Sequence, residues 1–312
     1  MILAVTMNPS VDISYPIPDF KLDDVNRVKG VWKTAGGKGI NVARVVKQMG
    51  EDVLATGVLG GTTGNFIVQE LTNDRIDNHF LKINQESRNC IAILHHGKQT
   101  EILESGPALT PDDGTAFLAE FKKLLSTASI VTISGSLPKG LPSEFYRYMS
   151  EMCRKKKIPV IVDTSGEPLR KVLLHKTKPN AIKPNITELS QLLGIEVDQS
   201  ISSLKQALNS DMFLGVEWIV VSMGTKGAFV KHAGDFFQVT IPEIDVVNPV
   251  GSGDATVAGL AVSLNNNVSV HAVLKTAMTT GMLNAMEAKT GHINIAKFKQ
   301  FYEFVQVKKI DS

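Results

Sequence analysis

Ile130-Val131-Thr132-Ile133-Ser134, followed after one helical pattern by Val160-Ile161-Val162-Asp163, is the stretch from which the fold class is read. Each run is short, apolar and rich in β-branched residues, as a strand covered on both faces should be. Between them Phe145, Tyr148, Met149 and Met152 recur at helical spacing behind Ser143, a residue suited to an N-cap. Arg154-Lys155-Lys156-Lys157 then closes that helix. Positive charge favours a helix C-terminus, so this run reads as a solvated helix end and not as a nucleic-acid patch. Upstream, Thr110-Pro111 sets an N-cap with proline in the first helical position, ahead of Phe117, Phe121, Leu124 and Leu125.

Working outward, the same alternation continues through the apolar runs Ile2–Thr6, Val53–Leu59, Ala181–Lys183 and Trp218–Ser222. Strands separated by helices predict an α/β fold, a doubly wound, mostly parallel sheet with helices on both faces. Two segments break the rhythm. Val11, Ile13, Tyr15 and Ile17 alternate apolar and polar, as do Ile91, Ile93 and, after a turn at His96-Gly97-Lys98, Thr100, Ile102 and Glu104. This period of two predicts antiparallel strands with one covered face, forming a small β-sheet lid from inserted segments at about residues 11–34 and 88–104. So small a sheet must cover its apolar side, either over a ligand cleft or against a second copy of the chain. The whole of residues 1–312 is read as one domain carrying that lid.

Composition narrows the function. Lys and Arg number 33 against 31 Asp and Glu, a net charge of +2, which excludes wrapping nucleic acid or coating a membrane as the main task. Cys90 and Cys153 stand far apart and form neither a Cys-x-x-Cys nor a Cys/His pattern, so a disulfide framework and a structural zinc site are not expected. Met1–Thr6 reads as a first strand and not as a leader. Residues 246–264 make a poor membrane span because they contain Pro249, Asp254 and glycines. A soluble, cytoplasmic protein is the expectation.

Two glycine clusters open helices. In Asn248-Pro249-Val250-Gly251-Ser252-Gly253-Asp254-Ala255 the small residues lead into the apolar pattern Ala258, Leu260, Ala261 and Leu264. Uncovered amides and the positive end of the helix dipole converge there, which suits an anionic group such as phosphate. Asp254 in the first turn is placed to take a proton from a nucleophile approaching that phosphate, or it is simply an acid favoured at a helix start. Gly36-Gly37-Lys38-Gly39-Ile40-Asn41 opens a second helix with the stripe Val42, Val45, Val46 and Met49 and a C-terminal Gly50. Three glycines around a lysine exceed what a tight turn needs. Neither loop has Walker A spacing, and no Gly-x-Gly-x-x-Gly follows the first strand, which weighs against a dinucleotide dehydrogenase.

Two more pieces follow strands, where open α/β sheets place ligands. Lys183-Pro184-Asn185-Ile186-Thr187-Glu188 offers a lysine, an amide and an acid; Asn185 and Glu188 suit either a capping box or a magnesium–water shell. Ser222-Met223-Gly224-Thr225-Lys226-Gly227 is either a nucleotide contact or a plain hairpin turn into Ala228–Lys231.

In this order the pieces resemble the ribokinase-like family of sugar and nucleoside kinases, from the first strand and Asp12 to Gly251-Ser252-Gly253-Asp254, over nearly the whole chain. The opening Thr6-Met7-Asn8-Pro9-Ser10-Val11-Asp12 and the lead-in Asn248-Pro249-Val250 are similar to its phosphosugar branch, which includes tagatose-6-phosphate kinases, 1-phosphofructokinases and minor 6-phosphofructokinases. The lead-in is most similar to the first of these. The resemblance implies an ATP- and Mg2+-dependent kinase that phosphorylates the C1 hydroxyl of a ketohexose 6-phosphate, with D-tagatose 6-phosphate preferred and a role in lactose and galactose breakdown.

It further implies that Asp254 is the base and that Gly251, Ser252 and Gly253 hold the transferred group. Asp12, Gly36, Gly37 and Asn41 would bind the sugar; Lys38, Arg88, Ser136 and, from the lid, Arg27 or Lys29 would bind its phosphate. Lys183, Asn185, Ser222, Gly224, Thr225, Gly227 and Asn284 would lie by ATP, with Glu188 organising magnesium through water. An ordinary aspartate, pKa about 3.9, would already be ionised at neutral pH. A homodimer packed through the lids is expected, as is weak dependence on potassium, because Asn248 and Val250 stand where potassium-dependent members carry an acid and a threonine. The reading from a different class is a non-catalytic regulator that binds nucleotide or sugar phosphate.

Overall fold

The computed structural model describes residues 1–96 and 98–311. The chain begins β1 (Ile2–Thr6), β2 (Ser10–Pro16), β3 (Trp32–Gly36), α1 (Lys38–Gln48), β4 (Val53–Gly60), α2 (Gly61–Asn73), β5 (Asp77–Ile83), β6 (Arg88–His95) and β7 (Lys98–Leu103). It continues α3 (Pro111–Leu124), β8 (Ile130–Ser134), α4 (Phe145–Lys155), β9 (Val160–Asp163), α5 (Gly166–Leu174), β10 (Ala181–Ile182), α6 (Ile186–Leu193), α7 (Ile201–Leu208) and β11 (Trp218–Ser222). The last elements are β12 (Ala228–His232), β13 (Asp235–Thr240), α8 (Ser252–Asn265), α9 (Val270–Ala285), α10 (Phe298–Phe304) and β14 (Gln306–Ile310).

Ten strands form the main sheet in the order β14-β13-β12-β11-β10-β9-β8-β1-β4-β5. From β5 to β11 every pairing is parallel; β12, β13 and β14 add an antiparallel margin. Strand β1 shows why its run is apolar throughout: Ile2 and Ala4 enter the core under α1, α8 and α9, while Leu3 and Val5 enter the core under α3 to α7. A helix-covered face on each side requires both sets to be apolar. The doubly wound α/β fold expected from the sequence is the one observed. The helix that carries Phe145 starts at that residue with Glu144 in the N-cap position, one place later than Ser143 suggested, because the Phe145 N–H closes a turn onto the Pro142 carbonyl.

A separate four-stranded sheet runs β3-β2-β6-β7. Its two hairpin pairings are antiparallel as expected, but β2 and β6 run parallel, since each segment leaves the main sheet from the same edge of a parallel strand array. The turn predicted at His96-Gly97-Lys98 includes Gly97, which lies outside the described residues. The apolar alternation also needs correcting. Val11 and Ile13 are buried in the main core, with Ile91 of β6 and Phe66 of α2 packed against it, so the covered face looks inward. Strand β5 and helix α2, which support this packing, were not foreseen; the Asp77–Ile83 strand is half polar because it is the margin of the sheet.

Helices α8 and α9 are buried almost all round. They approach closely because Gly259 and Gly281 carry no side chain: a Cβ at either would meet Thr280 Oγ1 at 2.5 Å or Thr256 Oγ1 at 2.6 Å. Among the described residues no helix is long and apolar enough to cross a membrane.

Candidate active site

The end of β11 and the segment that follows β10 face the small sheet across a cleft of about 500 Å³. Two helix N-termini open into it. Gly37 (φ 106°) and Gly251 (φ 84°) occupy the N-cap positions of α1 and α8 without a side-chain cap, in backbone conformations that favour glycine. The first-turn amides of Gly253 and Asp254 therefore have no acceptor within the helix, and Asp254 stands among them. The Ser252 hydroxyl is turned away, donating to the Pro249 carbonyl at 2.8 Å.

Asp254 is 6 % exposed. Asn41 Nδ2 donates to its Oδ2 at 2.8 Å. Burial, and next the nearby carboxylate of Asp163, push its pKa up from 3.8 to about 7, against the opposing pull of Lys38, the Asn41 hydrogen bond and Lys183. Asp254 is thus not the ordinary, fully ionised aspartate expected from sequence; it is poised to exchange a proton near neutrality. Asp163 is itself buried at the end of β9. Lys38 Nζ lies 3.6 Å from its Oδ2 and Lys183 Nζ 3.4 Å from its Oδ1. Two lysines are in this way drawn to the floor of the cleft. Asp163 also raises the pKa of Lys38, so that lysine stays charged.

The roof is the small sheet. Asp12 accepts a hydrogen bond from Ser10 Oγ at 2.7 Å, and burial raises its pKa. A Cβ at Gly36 would overlap the Asp12 carboxylate, so glycine there keeps room for it. Arg88 borders the cleft while donating from Nε to the Asn8 carbonyl and from Nη1 to the Glu104 carbonyl. At the far wall Asn185 and Glu188 form the capping box of α6: Glu188 Oε2 accepts from Asn185 N–H at 2.9 Å and Asn185 Oδ1 from Glu188 N–H at 2.8 Å. Glu188 Oε1 is left to the cleft. A slightly larger groove of about 580 Å³ between α2 and β5 gathers no comparable charges; its Glu86 caps α2 through the Thr63 N–H.

The sequence model of the pfkB family carbohydrate kinases matches residues 5–296. The chain belongs to that family. Among solved structures this carbohydrate kinase is similar to a Staphylococcus aureus protein provisionally described as a phosphofructokinase, at 31 % identity over 100 % of this chain and 99 % of that one, TM-score 0.85. It is similar to phosphofructokinase-2 of Escherichia coli in complex with potassium, at 26 % identity over 97 % and 98 %, TM-score 0.88. That E. coli protein has also been solved with fructose-6-phosphate and in a tetrameric inhibited form. A Thermotoga maritima protein provisionally described as a 1-phosphofructokinase matches at 25 % identity over 100 % of both chains, TM-score 0.90.

Of the kinase's sequence-predicted site residues, Asp12, Gly37, Lys38, Asn41, Arg88, Lys183, Asn185, Glu188, Ser222, Gly251, Gly253 and Asp254 border the one cleft. Ser136 does not border it; exposed after β8, it accepts from Asn8 Nδ2 at 3.2 Å. Gly224, Thr225 and Gly227 belong to the hairpin turn between β11 and β12, beyond Ser222. Asn284 is completely buried; its Nδ2 donates to the Val250 carbonyl and its Oδ1 accepts from Gly291 N–H, so it braces the loop before α8 and its side chain does not reach the cleft. Arg27 and Lys29 are exposed on the β2–β3 connection and do not border the cleft of their own chain. Asp163 was missed. Its signal was present as an acid ending an apolar parallel strand, but only the packing of two lysines onto it shows what it does.

Proposed function

We propose that this chain is an ATP-dependent kinase that phosphorylates the C1 hydroxyl of a ketohexose 6-phosphate, with D-tagatose 6-phosphate as preferred acceptor and D-tagatose 1,6-bisphosphate as product. The observation that carries the reading is Asp254, buried at an uncapped helix N-terminus with a raised pKa and with Lys38 and Lys183 close by. Phosphoryl transfer is mainly positioning and charge stabilisation, and these groups supply both without a covalent intermediate. Asp254 accepts the C1 hydroxyl proton as that oxygen attacks the γ-phosphorus and the bond to ADP breaks. The amides of Gly253 and Asp254, with the two lysines, offset the charge on the transferred group.

Asp12 and Asn41 are the hydroxyl-binding groups of this proposal, Gly36 and Gly37 give the sugar close access, and Arg88 and Ser136 take its distal phosphate. The turn at Gly224, Thr225 and Gly227 lies on the nucleotide side, beside Asn185. Among the described residues no three His, Cys, Asp or Glu side chains cluster so as to hold a metal ion. Glu188 borders the cleft with Oε2 held in the capping box, so its Oε1 is the group that would meet magnesium carried by the nucleotide through water, where the ion would neutralise phosphate charge. A cytoplasmic setting suits such substrates.

The sequence Asn248-Pro249-Val250 favours tagatose 6-phosphate. Fructose 6-phosphate is the second reading, favoured by the E. coli complex; the Thermotoga likeness favours fructose 1-phosphate as a third. Comparing kcat/KM for the three sugar phosphates with ATP separates them. The highest value with tagatose 6-phosphate supports the proposal, a higher one with either fructose ester replaces the acceptor, and turnover of none of them removes the kinase reading in favour of a binding protein.

A homodimer is also part of the proposal. Leu22, Val25, Trp32 and Leu103 are exposed on the small sheet and its connection, and Arg27 and Lys29 stand among them. A second copy would cover this surface; a monomer by light scattering would remove the claim.

A further inference from the structure

Arg44 has no part in the chemistry described above, yet it is only 2 % exposed. It lies on α1 one turn beyond Asn41. Its Nε donates to Asp74 Oδ2 at 2.8 Å and its Nη2 to the Ala35 carbonyl at 2.8 Å. The remaining nitrogen, Nη1, lies 3.3 Å from Asn41 Oδ1 and 3.5 Å from the Thr290 carbonyl. Asp74 and the two carbonyls alone would suffice to keep a buried guanidinium in place. The contact with Asn41 has a different effect.

A guanidinium carries donors only, so it can face only the oxygen of the Asn41 amide. The amide nitrogen is thereby turned toward Asp254, where it donates to Oδ2 at 2.8 Å. Rotating the amide by half a turn would set NH2 against guanidinium and oxygen against carboxylate, two repulsions among side chains that are all buried. Among the described residues none donates a hydrogen bond to Asp254 Oδ1, and this atom is not among their fully enclosed polar atoms that lack a partner.

We propose that Arg44 is a positioning residue: through Asn41 it fixes Oδ2 of Asp254 in one hydrogen bond and leaves Oδ1 as the atom that receives the acceptor's proton. This rests on Asp254 being the base. The other charged groups around the pair have different geometry. Lys38 on α1, Asp163 at the end of β9 and Lys183 after β10 act on Asp254 directly, and Asp12 and His292 lie within the field of Arg44. Of these, only Arg44 donates to the Asn41 oxygen.

The test is the pH dependence of kcat/KM with ATP and the preferred sugar phosphate, for the native protein, Arg44→Lys, Arg44→Met and Asn41→Ala. Arg44→Lys keeps a charge opposite Asp74 but loses the planar fork that reaches several partners at once. With the amide free to turn, the charged form of Asp254 loses a donor. The acidic limb should then move up by about 0.5–1 pH unit, and kcat should fall roughly tenfold while the KM for ATP stays put. Titration of the substrate phosphates is common to all variants and cancels in the comparison. Arg44→Met combined with Asn41→Ala should be no worse than Asn41→Ala alone.

A limb that stays at its native position, whatever the loss of activity or Tm, or additive effects in the double variant, would make Arg44 a mere buttress and overturn the proposal. Should the Arg44 variants not fold, the Asn41 side-chain amide resonance of the native protein decides: it must follow the titration of Asp254, and an unresponsive resonance overturns the proposal as well. Near-normal turnover by Asp254→Asn would remove the base reading itself, an outcome distinct from either of these.

Discussion

Gly253 and Lys183 approach so closely that a methyl group placed on the glycine would lie 3.0 Å from the lysine Nζ. Alanine favours helix over glycine by up to about 1 kcal/mol, so Gly253→Ala should fold at least as well as the native chain. It should nonetheless push Lys183 off the cleft floor and lower kcat on the order of 10- to 100-fold. Calorimetry beside steady-state kinetics checks the two halves; unchanged kcat would show that Lys183 does not serve the reaction where it stands.

Asp254→Asn should cut turnover by roughly 10²–10⁴-fold, the range for a lost general base. Stability should move the other way. The folded-state pKa of about 7 lies above the ordinary 3.8, so folding favours the protonated acid: this contribution is complete below pH 4 and is lost as pH rises through 7. At pH 8 the native protein holds a buried charge that the amide variant lacks. The variant should therefore melt higher at pH 8, and the gap should shrink at pH 5. A gap of the same size at both pH values would count against a protonatable Asp254.

For the native kinase, kcat/KM should fall on its acid side with a midpoint near pH 7, since that quantity reports the free protein's essential base. An ordinary aspartate would place the midpoint near 4. Activity that stays flat down to pH 5 would contradict the environment described for Asp254.

Arg88→Ala should raise the KM for the sugar phosphate at least tenfold with little change in kcat, because the distal phosphate is held equally in ground and transition states. Arg88 also ties the Asn8 and Glu104 carbonyls together, so a small loss of Tm is expected alongside. An unmoved KM would put the phosphate elsewhere.

Replacing potassium by a bulky organic cation should change the rate by less than about threefold, under 1 kcal/mol. The side chain of Asn248 is already engaged: Oδ1 accepts from Val250 N–H of its own loop at 3.0 Å and Nδ2 donates to the carbonyl of Ala288, in the segment after α9, at 3.1 Å. The E. coli relative was solved with potassium, so a large drop in rate would mean that carbonyl groups alone suffice for such a site.

How much of this was legible in the sequence follows from the range of each interaction. Strands such as Val160–Asp163 and helix starts such as Thr110-Pro111 depend on neighbours a few residues away, and Thr110 does form the capping box with Asp113. The glycines at 37 and 251 were readable for the same reason. What could not be read was whatever depends on meeting a distant segment. Asn41 and Asp254 are 213 residues apart in sequence, and the raised pKa of Asp254 comes from burial and from Asp163, neither of which leaves a local trace. The inward turn of Val11 and Ile13 likewise depends on α2, a helix whose pattern, Gly61-Thr62-Thr63-Gly64-Asn65, opens with poor helix formers.

Asp12, Arg88, Cys90 and Glu101 ride on the four-stranded sheet, whereas Lys38, Lys183, Asp163 and Asp254 are rooted at the ends of the ten-stranded one or in helices packed on it. The molecule thus keeps its vocabulary and its grammar on separate pages. On the proposed reading, Asp12 and Arg88 can change with the sheet that carries them without touching the groups that set the charge on Asp254, so a lineage built on this scaffold would be free to alter its sugar pocket from the lid while leaving the reaction intact.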